Sequence, residues 1–270
     1  MDSLKLTICV VTYESINMVK EFHSLLIDSL NNLSDWEVLY FDNSKSTDVL
    51  DFFNSRSDNN VFFQRDERNL GFSYGNNRLI INSKYENILL LNPDVFGLTK
   101  DFFIKLKGYY NRQSVLFIKL LNLDGSFQDC IGTYSSLNRA FSKRMDYSKI
   151  EIYSEIDMGI MAFMLTSKNV ISHVGLLDCD YPLYAEDMDW CYRAKKMGYN
   201  IMYTPDLSLT HIGGASSKSK WKQKDVNRRK LSAEKIFIIK HYNKFYKYTM
   251  LLLNGFKRML NASGFRGQDE

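Results

Sequence analysis

Short apolar runs that end in turn-forming residues recur through the first hundred positions of the chain. Runs of four to eight apolar residues bounded by turn formers predict buried strands. Between them, apolar residues recur at helical spacing, and this alternation predicts βαβ units in an α/β fold with a mostly parallel sheet. The predicted strands are 6–11, 37–41, 61–63 and 87–91; one predicted helix is capped by Asn17, one starts at Ser46 or Thr47, and one spans 74–82.

The run at 87–91 stops at Asn92-Pro93-Asp94. Pro93 restricts Asn92 to extended backbone and has no N–H for a sheet ladder, so we expect the strand to end there. Asp94 then lies just past the carboxyl end of a strand, where open α/β sheets bind ligands. A carboxylate at that place suits Mg²⁺ or Mn²⁺ carrying a diphosphate, although an isolated Asp after a strand is more often an ordinary solvated turn.

The second half of the chain alternates less regularly. Asp124-Gly125 after an apolar run predicts a hairpin turn, and Pro205 is expected to break a strand. Glu186 and Asp187 precede a helical pattern, which puts two acids at a helix N-terminus. The predicted strands are 115–121, 160–165 and 200–203; the predicted helices are 168–174, capped by Ser167 and closed by Gly175, and 186–197; residues 133–154 are predicted as loop and short helix.

Positive charge is concentrated near the end of the chain. The 270 residues carry a formal net charge of +4, yet thirteen Lys or Arg and only two acids lie between Lys218 and Arg258, so the remainder is net acidic. Residues 233–260 are predicted as a helix in which basic, aromatic and aliphatic residues are interleaved. Such a helix either lies on an anionic membrane surface or packs on its own domain, and the sequence leaves both open.

Cysteine usage indicates a reducing compartment. The four cysteines do not have the spacing of a zinc motif, and a chain of this length does not depend on disulfides. Reduced thiols and a cytoplasmic location are therefore expected. No signal peptide is visible before the first predicted strand, and no apolar stretch approaches the 20 residues of a membrane span.

Several short motifs follow one another in an order that resembles glycosyltransferase family 2, and more narrowly its bacterial rhamnosyltransferase-like members. The likeness covers about residues 5–215. It implies the GT-A fold, a Rossmann-like, mostly parallel central sheet flanked by helices, here with a C-terminal basic helical extension. The motifs are Val10-Val11-Thr12-Tyr13, Phe41-Asp42-Asn43-Ser44, Asn69-Leu70-Gly71-Phe72 with Asn77, Leu91-Asn92-Pro93-Asp94, Asp124-Gly125-Ser126, Glu186-Asp187-Met188-Asp189-Trp190 and His211.

The resemblance implies an inverting transfer of a sugar from a nucleoside diphosphate donor. It divides the chain into a nucleotide-binding half (about 1–110), an acceptor half (about 111–217) and a basic amphipathic helical tail (218–270). Asp42 is expected to hydrogen-bond the base, and Asn92 takes the first position of the family's Asp-x-Asp element. The residues expected at the nucleotide sugar are Thr12, Tyr13, Glu14, Asp42, Asn43, Asn69, Gly71, Phe72, Asn77, Asn92, Pro93 and Asp94.

The same resemblance assigns the reacting groups. Asp94 and His211 are expected to hold Mn²⁺ or Mg²⁺, and Asp187 to act as the base that deprotonates the acceptor hydroxyl. Glu186, next to Asp187, is expected to repel its charge and so to raise a pKa. Where many members have Gly before an apolar pair and then Arg, this chain has Met161 and Thr166-Ser167, which leaves the acceptor open.

The expected partners follow from these roles. The preferred donor is dTDP-rhamnose, with a UDP-hexose as the alternative. The acceptor is expected to be a lipid-linked saccharide at the inner membrane face, with the basic tail on anionic lipid and no nucleic acid involved. Two other classes stay open: a nucleotide-sugar-binding protein without turnover, and a nucleotidyltransferase. The latter should carry a Gly-rich, Lys-bearing phosphate loop, and none follows the first predicted strand.

Overall fold

The computed structural model describes residues 4–31, 33–134, 145–181, 183–213, 223–250 and 252. Parts of three sequence predictions lie outside these ranges. They are the loop at 135–144, the basic residues at 214–222 and the continuation of the last helix past residue 252.

The first half of the chain builds a parallel sheet. Its strands lie in the order β3-β2-β1-β4, and every neighbouring pair is parallel, so all four carboxyl ends lie at one edge. The helices between the strands make the crossovers that parallel pairing requires. In chain order the elements are β1 (Leu6–Thr12), α1 (Ile16–Leu30), β2 (Trp36–Asp42), α2 (Asp48–Asn54), β3 (Val61–Arg65), α3 (Gly71–Asn82) and β4 (Asn87–Leu91).

The second half extends the same sheet with mixed strands. Its elements are β5 (Val95–Phe96), α4 (Lys100–Tyr109), β6 (Ser114–Leu121), β7 (Ile131–Gly132), a 3₁₀ helix (Tyr147–Lys149), β8 (Ser154–Glu155), β9 (Met158–Gly159), β10 (Phe163–Ser167), α5 (Lys168–Val174), α6 (Glu186–Lys196), β11 (Asn200–His211) and α7 (Gln223–His241).

The sheet continues from β4 through β10, β6 and β11 to β5, while β8 pairs with β11. Because β10 is antiparallel to both β4 and β6, and β6 is parallel to β11, strands β6 and β11 point the same way as β1–β4. Only β10, β5 and β8 of this described sheet run the other way. The predicted α/β fold with a mostly parallel sheet flanked by helices is therefore confirmed.

Two strand boundaries differ from the sequence prediction. The strand expected to end before Pro205 continues to His211, because the pairing register of β11 with β6 shifts between Thr204 and Ser208 and the proline falls in that irregularity. The strand predicted from residue 160 begins at Phe163, since the Ile160 N–H donates instead to the carbonyl of Cys130.

Two helix boundaries also differ. Asn17 was expected to cap the first helix, but the N-cap is Ser15 and Asn17 lies inside the first turn. The helix predicted from residue 233 already includes Gln223, where the described range resumes, and six of the ten added residues are Gln, Lys, Arg or Leu, which favour helix. It stops at His241, and residues 244–250 form a further helical segment.

Helix α7 packs on the domain rather than standing away from it. Phe237 and Ala233 are buried and form a cluster with Tyr181 and Met188, the last of which belongs to α6. Residues 223–241 thus pack along the side of α6, which agrees with one of the two alternatives that the sequence left open. None of the helices in the described ranges combines the length and the hydropathy that crossing a membrane requires.

The cysteines are unpaired, as the sequence predicted. Cys9, Cys130 and Cys191 are buried and Cys179 is exposed, and all four are free thiols.

Candidate active site

The ends of β1 and β2 place two predicted site residues side by side. Thr12 and Asp42 are the last residues of their strands and face each other in register. The Thr12 hydroxyl donates a 2.9 Å hydrogen bond to Asp42 Oδ1. The backbone N–H and the hydroxyl of Ser44 donate to the same oxygen, at 3.2 and 2.5 Å. One oxygen of Asp42 is therefore held by three donors.

The other oxygen of Asp42 is buried and accepts no hydrogen bond from any described residue. Arg65 Nε lies 3.9 Å from this oxygen, which is too long for a hydrogen bond. Among the described residues, Arg65 Nε also has no hydrogen-bond partner. Buried polar atoms are nearly always paired in native proteins, so an unpaired carboxylate oxygen at a sheet edge is a candidate acceptor for a ligand N–H.

Arg65 was not among the predicted site residues, yet it shapes this corner. Its guanidinium donates to the carbonyls of Ser44, Lys45 and Ser46 and so holds the loop after β2. The predicted Glu14 closes the same loop from the other side: its N–H donates to Ser44 Oγ and its carboxylate accepts from the Lys45 N–H. No local pattern in the sequence indicates a hydrogen bond between a residue of β3 and the loop after β2, so Arg65 was not predicted.

Asn43 connects this corner to the loop before α3. Its amide oxygen accepts from the Leu70 N–H at 3.1 Å, and its amide nitrogen donates to the Gly71 carbonyl at 3.3 Å. Asn69 has a φ of 50°, in the left-handed region that Asn tolerates. Asn43 therefore braces the loop that bears the exposed Asn69 and the half-buried Phe72. Tyr13, also predicted, is half-buried beside Thr12.

Asn77 is placed differently from the other predicted residues. Its amide donates to the Leu177 carbonyl at 2.8 Å and accepts from the Leu177 N–H at 3.0 Å. This pair of bonds joins α3 to the loop after α5 across 100 residues of sequence. The structure uses the Asn77 amide to connect two elements, and the sequence expectation of a contact with the nucleotide sugar does not follow from this geometry.

Asp94 and His211 are brought together by the short strand β5. His211 pairs with Val95 across the β11–β5 ladder, and the Ile212 N–H donates to the Asp94 carbonyl. His211 Nε2 then lies 3.2 Å from Asp94 Oδ1, and both residues are 7% exposed. Before them, the Asn92 N–H donates to the carbonyl of Ala162, which fixes the turn through Pro93.

The Asp94–His211 pair fits part of a divalent-metal site. Neighbouring ligands about 2.1 Å from an octahedral cation are about 3.0 Å apart, close to the observed separation. A carboxylate oxygen and an imidazole nitrogen suit Mn²⁺ or Mg²⁺, Mn²⁺ somewhat better. Among the described residues no group of three or more His, Cys, Asp or Glu could hold a metal ion. A metal held here would therefore need further oxygen ligands from substrate and water.

Glu186 and Asp187 begin α6, after a strained turn. Tyr184 and Ala185 have φ values of 72° and 66°, a conformation that costs non-glycine residues energy and is concentrated at functional sites. Asp187 Oδ1 accepts from the Met188 N–H at 2.7 Å. Glu186 is 9% exposed, and its Oε2 is buried without a hydrogen-bond partner among the described atoms.

The two adjacent carboxyls have raised pKa values, in the direction expected from the sequence. Burial, and then the charge of Asp187, raise the pKa of Glu186 to about 8. Burial also raises the pKa of Asp187, to about 6, while the Met188 N–H and the Lys230 ammonium act in the opposite direction. Both carboxyls therefore hold a proton more readily than an exposed acid does, and a carboxylate whose pKa is raised towards neutrality suits general base catalysis.

Asp189, on the same helix, is held quite differently. It is 1% exposed and accepts from Arg193 Nε at 2.8 Å and from the Tyr181 hydroxyl at 3.1 Å, while His241 Nε2 lies 2.6 Å away. Burial alone would raise its pKa, but the hydrogen bonds from His241 and Arg193 lower it below the ordinary value. Asp189 is thus a structural anion that fastens α7 to α6.

The connectivity brings these groups to one edge of the sheet. Asp42 and His211 end the strands β2 and β11, which point the same way, and Asp94 follows β4, which lies between them in the sheet and points the same way as both. A turn of three residues joins α6 to β11, so the helix runs back along the strand and its N-terminus, with Glu186 and Asp187, points towards the same edge.

Comparison with protein-family models finds no match. Two curated proteins are similar to the chain. The uncharacterized protein y4gI of Sinorhizobium fredii is 24% identical over 196 residues, which are 67% of this chain and 22% of that protein. The low-salt glycan biosynthesis hexosyltransferase Agl10 of Haloferax volcanii is 24% identical over 204 residues, which are 73% of this chain and 63% of Agl10. The chain thus spans less than two thirds of either relative.

Solved structures define the fold more sharply. The mannosyltransferase PcManGT of Pyrobaculum calidifontis, in complex with GDP-Man and Mn²⁺, superposes with a TM-score of 0.58 at 14% identity, over 98% of this chain and 76% of that one. TarS residues 1–349 of S. aureus, in complex with UDP-GlcNAc, gives 0.57 at 16% identity, over 92% and 70%. GalNAc-T7 with UDP, GalNAc and Mn²⁺ gives 0.58 at 13% identity, over 78% and 44%.

The chain therefore has the fold of GT-A glycosyltransferases, as the resemblance in its motifs implied. The similar proteins include a hexosyltransferase and a mannosyltransferase, and none of the names given above specifies rhamnose. The narrower expectation of a rhamnosyltransferase-like subgroup therefore stays a prediction.

Proposed function

We propose that this protein is a glycosyltransferase that moves a sugar from a nucleoside diphosphate donor to a hydroxyl group of a saccharide acceptor. The observation that carries the proposal is the common location of three groups on a GT-A sheet. These are an unpaired buried acceptor on Asp42, the Asp94–His211 pair, and the Glu186–Asp187 carboxyls with their raised pKa values.

The donor is held on the side of β1 and β2. Asp42 Oδ2 accepts an N–H of the base, next to Thr12 and the loops that carry Tyr13, Glu14 and Asn69. Asn92, Pro93, Gly71 and Phe72 contact the rest of the nucleotide sugar. These contacts use the two loops that Asn43 and Arg65 hold in place.

Asp94 and His211 would hold Mn²⁺ or Mg²⁺, which would supply positive charge opposite the diphosphate leaving group. The chain's own part is to present one carboxylate oxygen and one imidazole nitrogen 3.2 Å apart. The Mn²⁺ in the PcManGT and GalNAc-T7 structures supports this assignment.

Asp187 takes the proton of the acceptor hydroxyl while that oxygen attacks the anomeric carbon. The leaving diphosphate departs from the opposite face, so a single displacement inverts the configuration. Such base assistance contributes about 10²–10⁴-fold to the rate. Glu186 stays protonated at neutral pH and so leaves the single charge of the pair on Asp187. A binding protein without turnover has no use for such a pair, and this supports an enzyme over the binding-protein alternative.

The preferred donor is dTDP-rhamnose, supported by the motif resemblance, and a UDP-hexose is the alternative, supported by the similarity to a UDP-GlcNAc complex. The test is a thermal-shift panel of dTDP-rhamnose, UDP-GlcNAc and GDP-Man with and without Mn²⁺, followed by turnover with the donor that stabilises the protein most. Stabilisation that needs both a nucleotide sugar and Mn²⁺ is expected. No stabilisation by any donor, or stabilisation by free nucleoside triphosphates instead, contradicts the proposal.

The acceptor is proposed to be lipid-linked and reached from an anionic membrane surface at the cytoplasmic face. Phe245, Tyr248 and Leu252 recur at helical spacing and are 81%, 62% and 73% exposed. Lys244 and Lys247 lie among them, which matches the composition of helices that lie in a membrane interface.

Binding to phosphatidylserine vesicles, but not to phosphatidylcholine vesicles, is the expected result. The double variant Phe245→Ser/Tyr248→Ser should lose it, while Ile104→Ser, which removes an equally apolar side chain that is 47% exposed on α4, should retain it. Equal vesicle binding by wild type and the double variant would remove the membrane from this proposal and leave the sugar transfer untouched.

A further inference from the structure

One motif of the sequence has no part in the chemistry described so far. Asp124-Gly125-Ser126 forms the tip of a tight turn after β6, and the chain returns at once so that Phe127 bridges to Leu121. Asp124 Oδ1 accepts from the backbone N–H and the hydroxyl of Ser126, at 2.9 and 2.6 Å. These hydrogen bonds close the turn on itself. The amides of Asn122 and Gln128 flank it, and the Gln128 amide bonds both to Asn122 and to β11.

The orientation of both amides is fixed by carbonyl groups, which only accept hydrogen bonds. The Phe127 carbonyl lies 3.3 Å from Asn122 Nδ2, so that atom is the nitrogen and Asn122 Oδ1 faces Gln128. Gln128 Nε2 donates to that oxygen at 3.2 Å and to the His211 carbonyl at 3.0 Å. Its amide oxygen, Oε1, must then face the imidazole of His211.

This arrangement selects one tautomer of His211. Gln128 Oε1 lies 2.6 Å from His211 Nδ1 and has no proton to give, so Nδ1 carries the proton and donates it. In the neutral ring, Nε2 then keeps its lone pair and faces Asp94 Oδ1, another acceptor, at 3.2 Å. Two acceptors at that distance in a site that is 7% exposed repel each other unless a cation lies between or beside them.

We infer that the turn from Asn122 to Gln128 positions His211 for metal binding: its amides hold the imidazole in the tautomer whose Nε2 lone pair is directed at the cation site beside Asp94. The inference rests on the proposed function. Gln128 is a positioning residue, because it touches His211 and not the metal, and Asn122 acts one step further out by holding the Gln128 amide. Partners of this kind orient ligating imidazoles, and their loss typically costs about 10- to 100-fold in metal affinity.

The surroundings of Gln128 support the inference. Gly213, with a φ of +65°, passes close to the amide, and a Cβ at that position would come within 3.2 Å of Gln128 Nε2. A residue with a side chain there would require the amide to shift by a few tenths of an ångström and would adopt a strained φ. The glycine therefore leaves the room that the hydrogen bonds require.

The test uses the full chain and two readouts that do not depend on activity. The first is the long-range ¹H–¹⁵N spectrum of the imidazole rings in metal-free protein, which reports which ring nitrogen carries the proton. The chain has four histidines, so His211 is assigned by comparison with His211→Asn. The second is titration with Mn²⁺ alone, followed by electron paramagnetic resonance and by broadening of the His211 ring signals.

Three variants separate the possible causes. Gln128→Leu removes the acceptor, and we expect the Nδ1-protonated tautomer to lose its dominance and the Mn²⁺ affinity to fall about 10- to 100-fold. Gln128→Glu keeps an acceptor oxygen for Nδ1, although it loses the two donations from Nε2, and it should therefore lose clearly less Mn²⁺ affinity than Gln128→Leu. Gln113→Leu, the same change at an exposed position, is the matched control and should alter neither readout.

The outcomes distinguish this inference from the function on which it rests. Wild-type Mn²⁺ binding with an unchanged tautomer and affinity in Gln128→Leu overturns the role of the turn and leaves the metal site standing. Equal losses of affinity in Gln128→Leu and Gln128→Glu, with the same change of tautomer in both, also overturn it, since the acceptor oxygen then does not select the tautomer. If the wild-type protein binds no Mn²⁺, the metal assignment is overturned, and the turn then has no metal ligand to position.

Discussion

The fold holds the carboxylate of Asp42 and those of Glu186 and Asp187 in opposite ways, although all three point to the same edge of the sheet. Oδ1 of Asp42 accepts three hydrogen bonds from Thr12 and Ser44. Oε2 of Glu186 accepts none from the described chain, and Asp187 is supported by a single N–H of its own helix. Hydrogen bonds fix the carboxylate of Asp42, whereas the buried Glu186 and the half-buried Asp187 have few hydrogen bonds to offset the loss of water.

Under the proposed function, this difference separates donor recognition from the reacting groups on one edge of the sheet. A recognition group needs a fixed direction, which the crossed hydrogen bonds between the loops after β1 and β2 provide. A base needs a proton affinity near the working pH, and burial without hydrogen bonds provides that. The strained Tyr184 and Ala185 also lie on the reactive side, before α6.

The largest effect is expected from Asp187→Asn, which tests whether the carboxylate with few hydrogen bonds is the reacting group. Turnover should fall about 10²–10⁴-fold, because the amide cannot accept the acceptor's proton, while donor affinity should change little. Sugar release from the donor identified by the panel measures the first, and calorimetry the second. Asp180→Asn, an exposed acid that pairs with Lys240, is the control and should turn over normally. Full turnover in Asp187→Asn would leave the enzyme without its assigned base.

The recognition side is tested by Asp42→Asn. Its amide oxygen can still accept from Thr12 and Ser44, while an NH₂ group replaces the unpaired oxygen. The dissociation constant of the donor should rise about 10- to 100-fold, the effect of losing a hydrogen bond to a charged group, with a smaller change in kcat. Asp48→Asn, on the same side of the molecule but exposed, should bind the donor as the wild type does. Unchanged binding by Asp42→Asn would show that this oxygen does not read the base.

Glu186→Gln tests how strongly burial acts on this carboxyl, through the pH dependence of the protein's stability. The folded protein holds the Glu186 proton up to about pH 8, whereas the unfolded chain releases it near its ordinary pKa of about 4.3. Stability supplied by the neutral carboxyl is therefore fully present below pH 4.3 and is lost as the pH rises to about 8.

The variant has no proton to lose, so its Tm should fall less with pH. We expect it to be about 3 °C or more above the wild type at pH 9, about 1 kcal/mol for a domain of this size, and close to it at pH 4. Calorimetric scans at both pH values measure this. Parallel pH profiles for the two proteins would mean that the Glu186 carboxyl is not desolvated as described.

The smallest effect is expected from Lys230→Gln. The Lys230 ammonium lowers the pKa of Asp187 from α7, where it lies 5.3 Å from the ring centre of Tyr184. Without it, the acid limb of the rate profile should move to higher pH. Turnover below pH 6 should drop about twofold and be unchanged at pH 8, since exposed charges act weakly. Lys235→Gln on the same helix is the control, and an identical profile for both variants would remove this contact from the account.

The fold was largely predictable because its signals are local. Apolar runs of strand length gave β1, β2 and β4, and the helix at 168–174 was found with both its cap at Ser167 and its end at Gly175. Pro205 misled the prediction because an irregular strand tolerates a proline that a regular ladder does not, and irregularity depends on the partner strand β6.

The site was predictable only in part, for a related reason. The motifs identified candidates at Asp42, Asp94 and His211, whose placement at strand ends follows from the order of elements. Arg65 and Gln128 were missed because their partners are remote: Gln128 and His211 are 83 residues apart. Asn77 was expected at the nucleotide sugar, but its amide bonds to the backbone of Leu177, 100 residues away, and nothing in the sequence indicates this contact.

The fastening of α7 to α6 sets a time order for the newborn polypeptide. Asp189 and its imidazole partner His241 are 52 residues apart. At ribosomal speeds of about 5–20 residues per second, the carboxylate is made roughly 3–10 s before the group that joins it. During that interval the aromatic flank of α6 lacks its cover of Phe237 and Tyr242. The region around Glu186 and Asp187 is therefore completed only after α7 has been made, and a translation pause ahead of residue 223 would prolong the period in which this apolar surface is exposed.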